Sequence, residues 1–523
     1  MTIILHGCGR RTIQEYPQPV SLSTVLQESG VSLDFPCGGK GRCGKCRVLV
    51  RGEASPPTPQ ELALLTPAQR EAGIRLACMT TILGDAEVVL PSQEEQQILT
   101  EGQTAAFQPD SGEAGYGIAV DIGTTTVAAY LYRLGEKEAV AVASQKNPQS
   151  LYGADVISRL SQSLAGKKDA LAAAIRQCLG ELIHSLCRQA GIQPEEVVRA
   201  VLTGNTAMLY FLCGEEVSSI AAAPFASRLL WGDWQEAASL ELPLAPSTPC
   251  YLPRCISAYV GADITTAILA AGYPRQGISL LVDIGTNGEM ALLRGEEILC
   301  CSTAAGPAFE GAGISQGMNA APGAIDRVWV TDDSLRCRTI GQKPAVGICG
   351  SGLIDAIAAL LDCGAIDDTG LLQEEGHPLL GAMAERDGQP AIRLAGEVFL
   401  SQKDIRAVQL AKSAICAGML ALLHHAGLKM KDLDDLAIAG GFGQAIPLQS
   451  AQRIGLIPPF PLEKIRLIGN GAGMGAGMVL LSEAEWQRSL RLAEQARTLE
   501  LSSDPFFRDC YIDQMLFPES TLS

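Results

Sequence analysis

GIAVDIGTTTVAAYL at residues 117–131 and SLLVDIGTNGEMALL at residues 279–293 share the pentapeptide VDIGT at an offset of 162 residues. Each copy reads as an apolar strand ending in Asp, a tight Gly turn carrying hydroxyls, and a second apolar strand. One supersecondary unit repeated at half-domain spacing predicts two similar lobes facing each other across a cleft. A shared turn that holds no ligand is the plainer reading of the same repeat. Around the two copies, strands alternate with long helical segments such as KKDALAAAIRQCLGELIHSLCRQAG and DIRAVQLAKSAICAGMLALLHHAG. That alternation is the pattern of an α/β architecture.

The repeated turn also has a chemistry. A carboxylate at a strand end can hold a hydrated Mg2+, and the Gly-Thr turn after it offers N–H and hydroxyl groups to phosphate oxygens. On this reading Asp121 with Gly123, Thr124, Thr125 and Thr126 cradles one side of a phosphate chain, and Asp283 with Gly285, Thr286 and Asn287 the other. Two glycine motifs follow. In AIAGGFGQAIP (437–447), Gly440, Gly441 and Gly443 leave room for a nucleoside, and IGNGAGMGAG (468–477) puts Gly469 at a strand-to-helix turn. Tight helix–strand packing explains such glycines equally simply. The repeated turns resemble the phosphate-1 and phosphate-2 loops of the acetate and sugar kinase, heat-shock protein and actin superfamily, the 437–447 stretch its adenosine motif, and the 468–477 turn its second interdomain connection. Asp263, in SAYVGADITTAI, is placed like the acidic residue that deprotonates the sugar hydroxyl in those kinases, a role that here becomes orienting hydrolytic water. A plain helix cap is the alternative.

A different chemistry occupies the N-terminus. TIILHG, CRVLVRG and EVVL are strand-like, and STVLQESG offers one short helix ending on Gly30. Cys37, Cys43, Cys46 and Cys78 are spaced C-x5-C-x2-C-x31-C, the first three on a loop with Gly38, Gly39, Gly41 and Gly44. Such glycines let the backbone take positive φ and aim N–H groups at sulfur. The spacing adds one residue to the first gap of the plant-type C-x4-C-x2-C pattern, and resembles [2Fe-2S] ferredoxin domains whose first gap is also five. Structural zinc competes, although only one C-x2-C knuckle is present. Lys40, Arg42, Lys45 and Arg47 decorate the loop, either steering an acidic redox partner or forming a solvated surface.

Composition frames these motifs. The chain has 523 residues, 47% apolar and 19% charged, with net charge −17. The first hundred residues hold nine basic and ten acidic side chains, so the acidity belongs to the larger remainder and argues against a nucleic-acid partner. No uninterrupted apolar stretch reaches a membrane span, and the N-terminus has no basic region followed by an apolar one, so a cytoplasmic protein is expected. Seventeen cysteines, most of them single in apolar context, suit a reducing compartment. The expected divisions are a β-grasp, ferredoxin-like α+β domain at 1–92, a flexible linker at 93–115, and an α/β ATPase of two duplicated actin-like lobes, 116–270 and 271–523.

The ferredoxin-like module fused to this ATPase-like part is accompanied by NPQSLYGADVISRL (147–160), LTGNTAM (202–208), AGPAFEGAGISQGMNAAPGAID (305–326), GICGSGLID (347–355) and QKDIRAVQLAKSAICAG (402–418). Together these resemble the reductive activators of corrinoid proteins along essentially the whole chain. The resemblance implies an ATP-dependent enzyme that passes one electron from a low-potential, ferredoxin-type donor through a [2Fe-2S] cluster to Co(II) of a corrinoid protein or corrinoid-dependent methyltransferase, restoring Co(I). ATP and Mg2+ are the implied companions, with no membrane partner and with a homodimer as a compatible assembly. Family members often carry an additional middle domain before the first phosphate loop. Only about 25 residues separate Leu90 from Tyr116, so it is expected to be absent. Two other readings are a redox ATPase serving a non-corrinoid metalloenzyme and a nucleotide-gated redox sensor. For the cluster itself, replacing any of Cys37, Cys43, Cys46 or Cys78 by Ala should abolish the spin signal of the dithionite-reduced protein. Metal analysis should give two irons per chain; zinc, or four irons, would contradict the assignment.

Overall fold

Six strands of the N-terminal region form one mixed sheet in the computed structural model, which describes residues 1–7, 10–17, 19–29, 33, 41, 44, 46–90, 105–111, 114–273, 277–386, 388–441 and 446–519. Thr2–Gly7 pairs antiparallel with Arg10–Glu15 and parallel with Thr81–Val89, which continues antiparallel to Arg47–Ala54 and thence to Ile74–Leu76. The helix Leu22–Glu28 lays Leu22, Val25 and Leu26, spaced i, i+3, i+4, on Ile3, Leu5, Val48, Ile82 and Val88. The three strands and the helix expected from sequence are therefore present, while Gly30 lies outside the described residues. Residues 147–175 fall in the same unit as residues 1–96. Leu151 packs on that N-terminal core, and Gln149, buried, donates from Nε2 to the Leu171 carbonyl at 2.9 Å. The sequence pattern assigns this stretch to the first ATPase lobe, 116–270, whereas its packing places it in the N-terminal unit.

The second unit, residues 97–146 and 176–523, contains the duplication. Tyr116–Ile122, Thr126–Arg133 and Ala139–Lys146 form an antiparallel meander; Val197–Gly204 pairs parallel with the first of them, and Pro249–Leu252 parallel with Val197–Gly204. Ile278–Ile284, Gly288–Arg294 and Glu297–Thr303 repeat the meander, with Asp435–Ala439 and then Ile465–Gly469 added in parallel. Five strands thus recur in the same order and direction. Only the sixth differs: Asp233–Glu236 extends the first sheet beyond Pro249–Leu252, and Arg497–Thr498 extends the second at its opposite edge. The first strand of each copy is apolar and buried except near its Asp, as a sheet covered on both faces requires.

Each sheet sends one helix to the contact between lobes, Ala262–Ala270 and Gly471–Leu481. They approach so closely that a Cβ on Gly475 would overlap the Thr266 carbonyl oxygen. A Cβ on Gly473 would stand 2.6 Å from the Tyr130 ring, and one on Gly477 2.6 Å from the Tyr132 hydroxyl. The glycines of the 468–477 motif after Gly469 therefore serve helix packing, one of the two explanations open at the sequence level. The helix Gln402–His425 begins at a capping box, with Ser401 N–H and hydroxyl donating to Asp404 Oδ2 at 3.0 and 2.7 Å. It is long and apolar enough to cross a membrane, yet Ile405, Val408, Ile415, Met419 and Leu422 are buried in the core of the second lobe.

The linker expected at 93–115 is shorter at its C-terminal end. Residues 91–104 and 112–113 lie outside the described set, but 105–111 is packed structure. Phe107 is buried, Ala105 N–H donates to the Ala270 carbonyl at 2.9 Å, and Asp110 N–H donates to the Leu481 carbonyl at 2.9 Å. This short run satisfies the last carbonyls of both interlobe helices, groups that a helix end leaves without an internal partner. Gly475→Val should destabilise the chain by about 1–3 kcal/mol through overpacking, lowering the Tm by a few degrees. Gly381→Ala, where a Cβ meets nothing within 4 Å, should leave it unchanged. Equal melting of the two variants would mean that the helix contact is not tight.

Candidate functional site

In the first unit the described part of the cysteine loop converges on sulfur. The Cys46 thiol donates to Cys78 Sγ at 3.3 Å. That hydrogen bond is the largest influence on Cys78 and outweighs burial; with help from the Gly41 and Cys78 N–H groups it brings the thiol down to about 7. Ala77 N–H donates to the Cys46 carbonyl at 2.8 Å, tying the two cysteine-bearing segments together. Gly41 has φ +65°, and a Cβ there would lie 2.5 Å from Met79 Sδ, so only glycine fits. Beneath, the buried Glu61 takes Arg75 Nε and Nη2 at 2.8 and 2.9 Å and Leu76 N–H at 2.7 Å, fixing the strand that leads to Cys78. Cys37 and Cys43, with Gly38, Gly39, Lys40, Arg42 and Lys45, lie outside the described residues. Two convergent sulfurs, one moved towards thiolate and approached by backbone N–H groups, are the donor chemistry a thiolate-held cluster needs.

The second unit brings the two DIGT turns together. Asp121 ends one central strand and Asp283 the other, in register with Ala128 and Glu289 of the returning strands. A Cβ on Gly123 would lie 2.5 Å from the Thr126 carbonyl oxygen, which explains the glycine of the first turn. Thr125 and Thr286, 161 residues apart, have hydroxyl oxygens 3.2 Å apart. Gly440 has φ +104°, and a Cβ on it would overlap the Ile284 carbonyl oxygen and stand 2.8 Å from Asp283 Oδ1. Its N–H donates to the Gly469 carbonyl at 3.0 Å, and Gly469 itself turns with φ +64°. Around Gly441 there is open space, and Gly443 lies outside the described residues.

Asp263 is not the N-cap of its helix, a position held by Gly261, but it lies in the first turn, where its carboxylate accepts from its own N–H and from the Ile264 N–H, the latter at 2.9 Å. It belongs electrostatically with the two strand-end aspartates. Burial, then Asp263 and Asp121, then Glu310 push Asp283 up to about 8; burial and Asp263 push Asp121 up to about 7 against a hydrogen bond from Asn470. Burial raises Asp263 to about 6. Two further acids belong to this group and escaped sequence reasoning. Glu289 accepts from Asn205 Nδ2 and Asn287 Nδ2, both at 3.2 Å, and is held well above the usual carboxylate range by burial, Asp263 and Asp283. Glu310 is raised by burial and accepts from Thr125 and Thr286. Glu289 follows the second VDIGT by three residues, a signal available in the sequence; Glu310 has none beyond its place in a glycine-rich stretch.

Among the described residues no three of these acids gather closely enough to cage a bare ion. The turns, hydroxyls and carboxylates together can hold a hydrated cation and a phosphate chain between two lobes.

Comparison with known proteins gives three family models in succession. Residues 6–83 match the 2Fe-2S iron-sulfur cluster binding domain, residues 116–276 the RACo middle region, and residues 277–523 the C-terminal domain of RACo, the ASKHA domain. By that description the middle region lies on the sheet that carries Asp121, which corrects the expectation that it is missing. The chain is 35% identical over 428 residues to corrinoid activation enzyme RamQ of Eubacterium limosum, covering 78% of this chain and 71% of that protein. It is 27% identical over 439 residues to [Co(II) methylated amine-specific corrinoid protein] reductase of Methanosarcina barkeri, covering 77% of each. The solved reductive activator for corrinoid,iron-sulfur protein aligns over 99% of both chains, at 26% identity and a TM-score of 0.72.

The buried acids give a pH dependence with a definite sign. Asp283 has its folded-state pKa raised from 3.8 to about 8, so the folded chain holds this proton more tightly than the unfolded chain. Its contribution is fully present below about pH 4 and is lost as the pH rises through about 8. In chelator-treated protein without nucleotide, Tm should therefore fall more steeply over that interval for the wild type than for Asp283→Asn. Parallel Tm profiles for the two would show that Asp283 is not strained by its neighbours.

Proposed function

The chain belongs to the family of reductive activators of corrinoid proteins, and we propose that it raises an electron to a Co(II) corrinoid protein at the expense of ATP, with the residues above in separate roles. The observation that carries this reading is the union of a sulfur-converging ferredoxin fold with a duplicated phosphate-turn cleft on one chain. Cys37, Cys43, Cys46 and Cys78 are assigned to a [2Fe-2S] cluster, which supplies one-electron transfer when bound. Asp121 and Asp283 are assigned to hydrated Mg2+, Gly123, Thr124, Thr125, Thr126, Gly285, Thr286 and Asn287 to phosphates, and Gly440, Gly441, Gly443 and Gly469 to the nucleoside end. Asp263, within the acid group, is assigned to orienting hydrolytic water. The two lobes, built on the sheets that carry Asp121 and Asp283, hold the nucleotide between them.

The need for ATP follows from potentials. Plant-type [2Fe-2S] centres lie near roughly −400 mV, and a Co(I) corrinoid is a stronger reductant than that. Each ~59 mV uphill costs about 1.4 kcal/mol for one electron. A protein that binds the more reducible form of its partner preferentially can bridge such a gap, provided hydrolysis then resets the complex. The acidity of the chain outside its first hundred residues leaves the basic cluster loop, Lys40, Arg42, Lys45 and Arg47, as the surface for an acidic ferredoxin-type donor. A cytoplasmic setting and, where two copies associate, a homodimer accord with this role.

Full-length protein, reduced with dithionite and supplied with Mg-ATP, should convert a Co(II) corrinoid protein to Co(I), followed by absorbance. Asp283→Asn should keep its cluster spectrum and lose at least about tenfold in that rate, as loss of a charged hydrogen-bonding group at the reacting centre does. Equal Co(I) formation with and without nucleotide would reduce the molecule to a ferredoxin joined to an unrelated ATPase.

A further inference from the structure

Glu310 sits where the two phosphate turns meet, although it belongs to neither. The Thr125 hydroxyl donates to its Oε2 at 2.6 Å, and the Thr286 hydroxyl donates to the same oxygen at 3.0 Å. The backbone N–H of Thr286 also donates to this carboxylate. Its Oε1 lies 3.6 Å from where a Cβ on Gly285 would stand, so the carboxylate lies over the second turn. The short turn Ala308–Glu310 that carries it stops at Gly311, with φ +79° and a would-be Cβ 2.5 Å from Met318 N, a position closed to any side chain. The backbone under Glu310 is thereby fixed.

A carboxylate in this position has taken the donors that a phosphate oxygen would take: one hydroxyl from each lobe and the turn's own N–H. We propose that Glu310 is a built-in anion that holds the phosphate donors of both turns in the nucleotide-free chain and is displaced when the phosphates of ATP arrive. The inference rests on the nucleotide-site reading given above and extends it to how tightly that site binds. Two anions cannot share these donors, since Thr125 and Thr286 each have one hydroxyl proton to give. Asp283 adds to the repulsion on the carboxylate's side of the cleft, and Lys146 is the cation that eases it. Part of the phosphate binding energy is thus used to eject Glu310, which holds nucleotide affinity down and favours release once hydrolysis has weakened the phosphate's grip. Between turnovers Glu310 closes the two turns on itself, so that the cleft keeps its donors paired.

The test compares ligands with and without phosphates on the full chain. Affinities of the Mg complex of a non-hydrolysable ATP analogue and of adenosine are measured by calorimetry for wild type, Glu310→Ala and the near-isosteric Glu310→Gln, with Thr286→Ala as a reference. The ATP analogue should bind about tenfold tighter to the Glu310 variants, the scale of a charged hydrogen bond, while adenosine should bind as before. If Glu310→Ala does not fold, Glu310→Gln alone decides. Unchanged or weaker analogue binding in the Glu310 variants, with Thr286→Ala still impaired, would overturn the displaced-anion role and leave the nucleotide site standing. Equal tightening for adenosine would overturn it too, by pointing to a general change in the cleft. Analogue binding that Thr286→Ala leaves intact would instead remove the nucleotide site on which the inference depends.

Discussion

The Thr266 carbonyl leaves no room for a side chain on Gly475, and that backbone contact sets the geometry of the ATPase unit. Two helices that meet through glycine bring their sheets closer than any larger residue would allow. At the start of the Ala262–Ala270 helix a Cβ on Gly261 would lie 2.6 Å from Asn205 Cα, so this helix end is held close to the end of a strand of the first sheet. Asp263 rides on that helix two residues later, in the electrostatic group with Asp121 and Asp283.

Close approach carries an electrostatic cost. Asp121, Asp263, Asp283, Glu289 and Glu310 form one group of acids, and each is pushed above its ordinary value with burial as the leading cause. Two amide side chains, Asn205 and Asn470, one from each lobe, supply donors to this group, Asn205 to Glu289 and Asn470 to Asp121. A divalent cation neutralises such a group more strongly than amides can. Preorganised strain of this kind is what lets ligand binding do conformational work.

What was legible in the sequence had short range. The VDIGT repeat gave the duplicated sheets because a strand, a turn and a strand need only fifteen consecutive residues, and the observed strands repeat in order and direction. The ferredoxin strands were readable for the same reason. Glu310 was not, since its partners lie 185 and 24 residues away and no local pattern marks it. Phe107 sits in a polar run that reads as linker, and only the ends of two distant helices reveal why it is buried. For the glycines at 473, 475 and 477 the sequence leaves a strand-to-helix connection and tight packing equally open, because both demand the absence of a side chain, and only the neighbouring Thr266, Tyr130 and Tyr132 decide between them.

The ferredoxin unit is assembled from two stretches, 1–96 and 147–175, with the second entered directly from the last strand of the first meander. Inheritance then works differently from that of an ordinary terminal module. A gene fragment ending near residue 92 would carry all four cysteines into a new host but leave Leu151 behind, uncovering part of the apolar cluster formed by Leu22, Val25 and Ile82. Truncation at a single boundary therefore bares apolar surface that a residue more than fifty positions further along the chain covers.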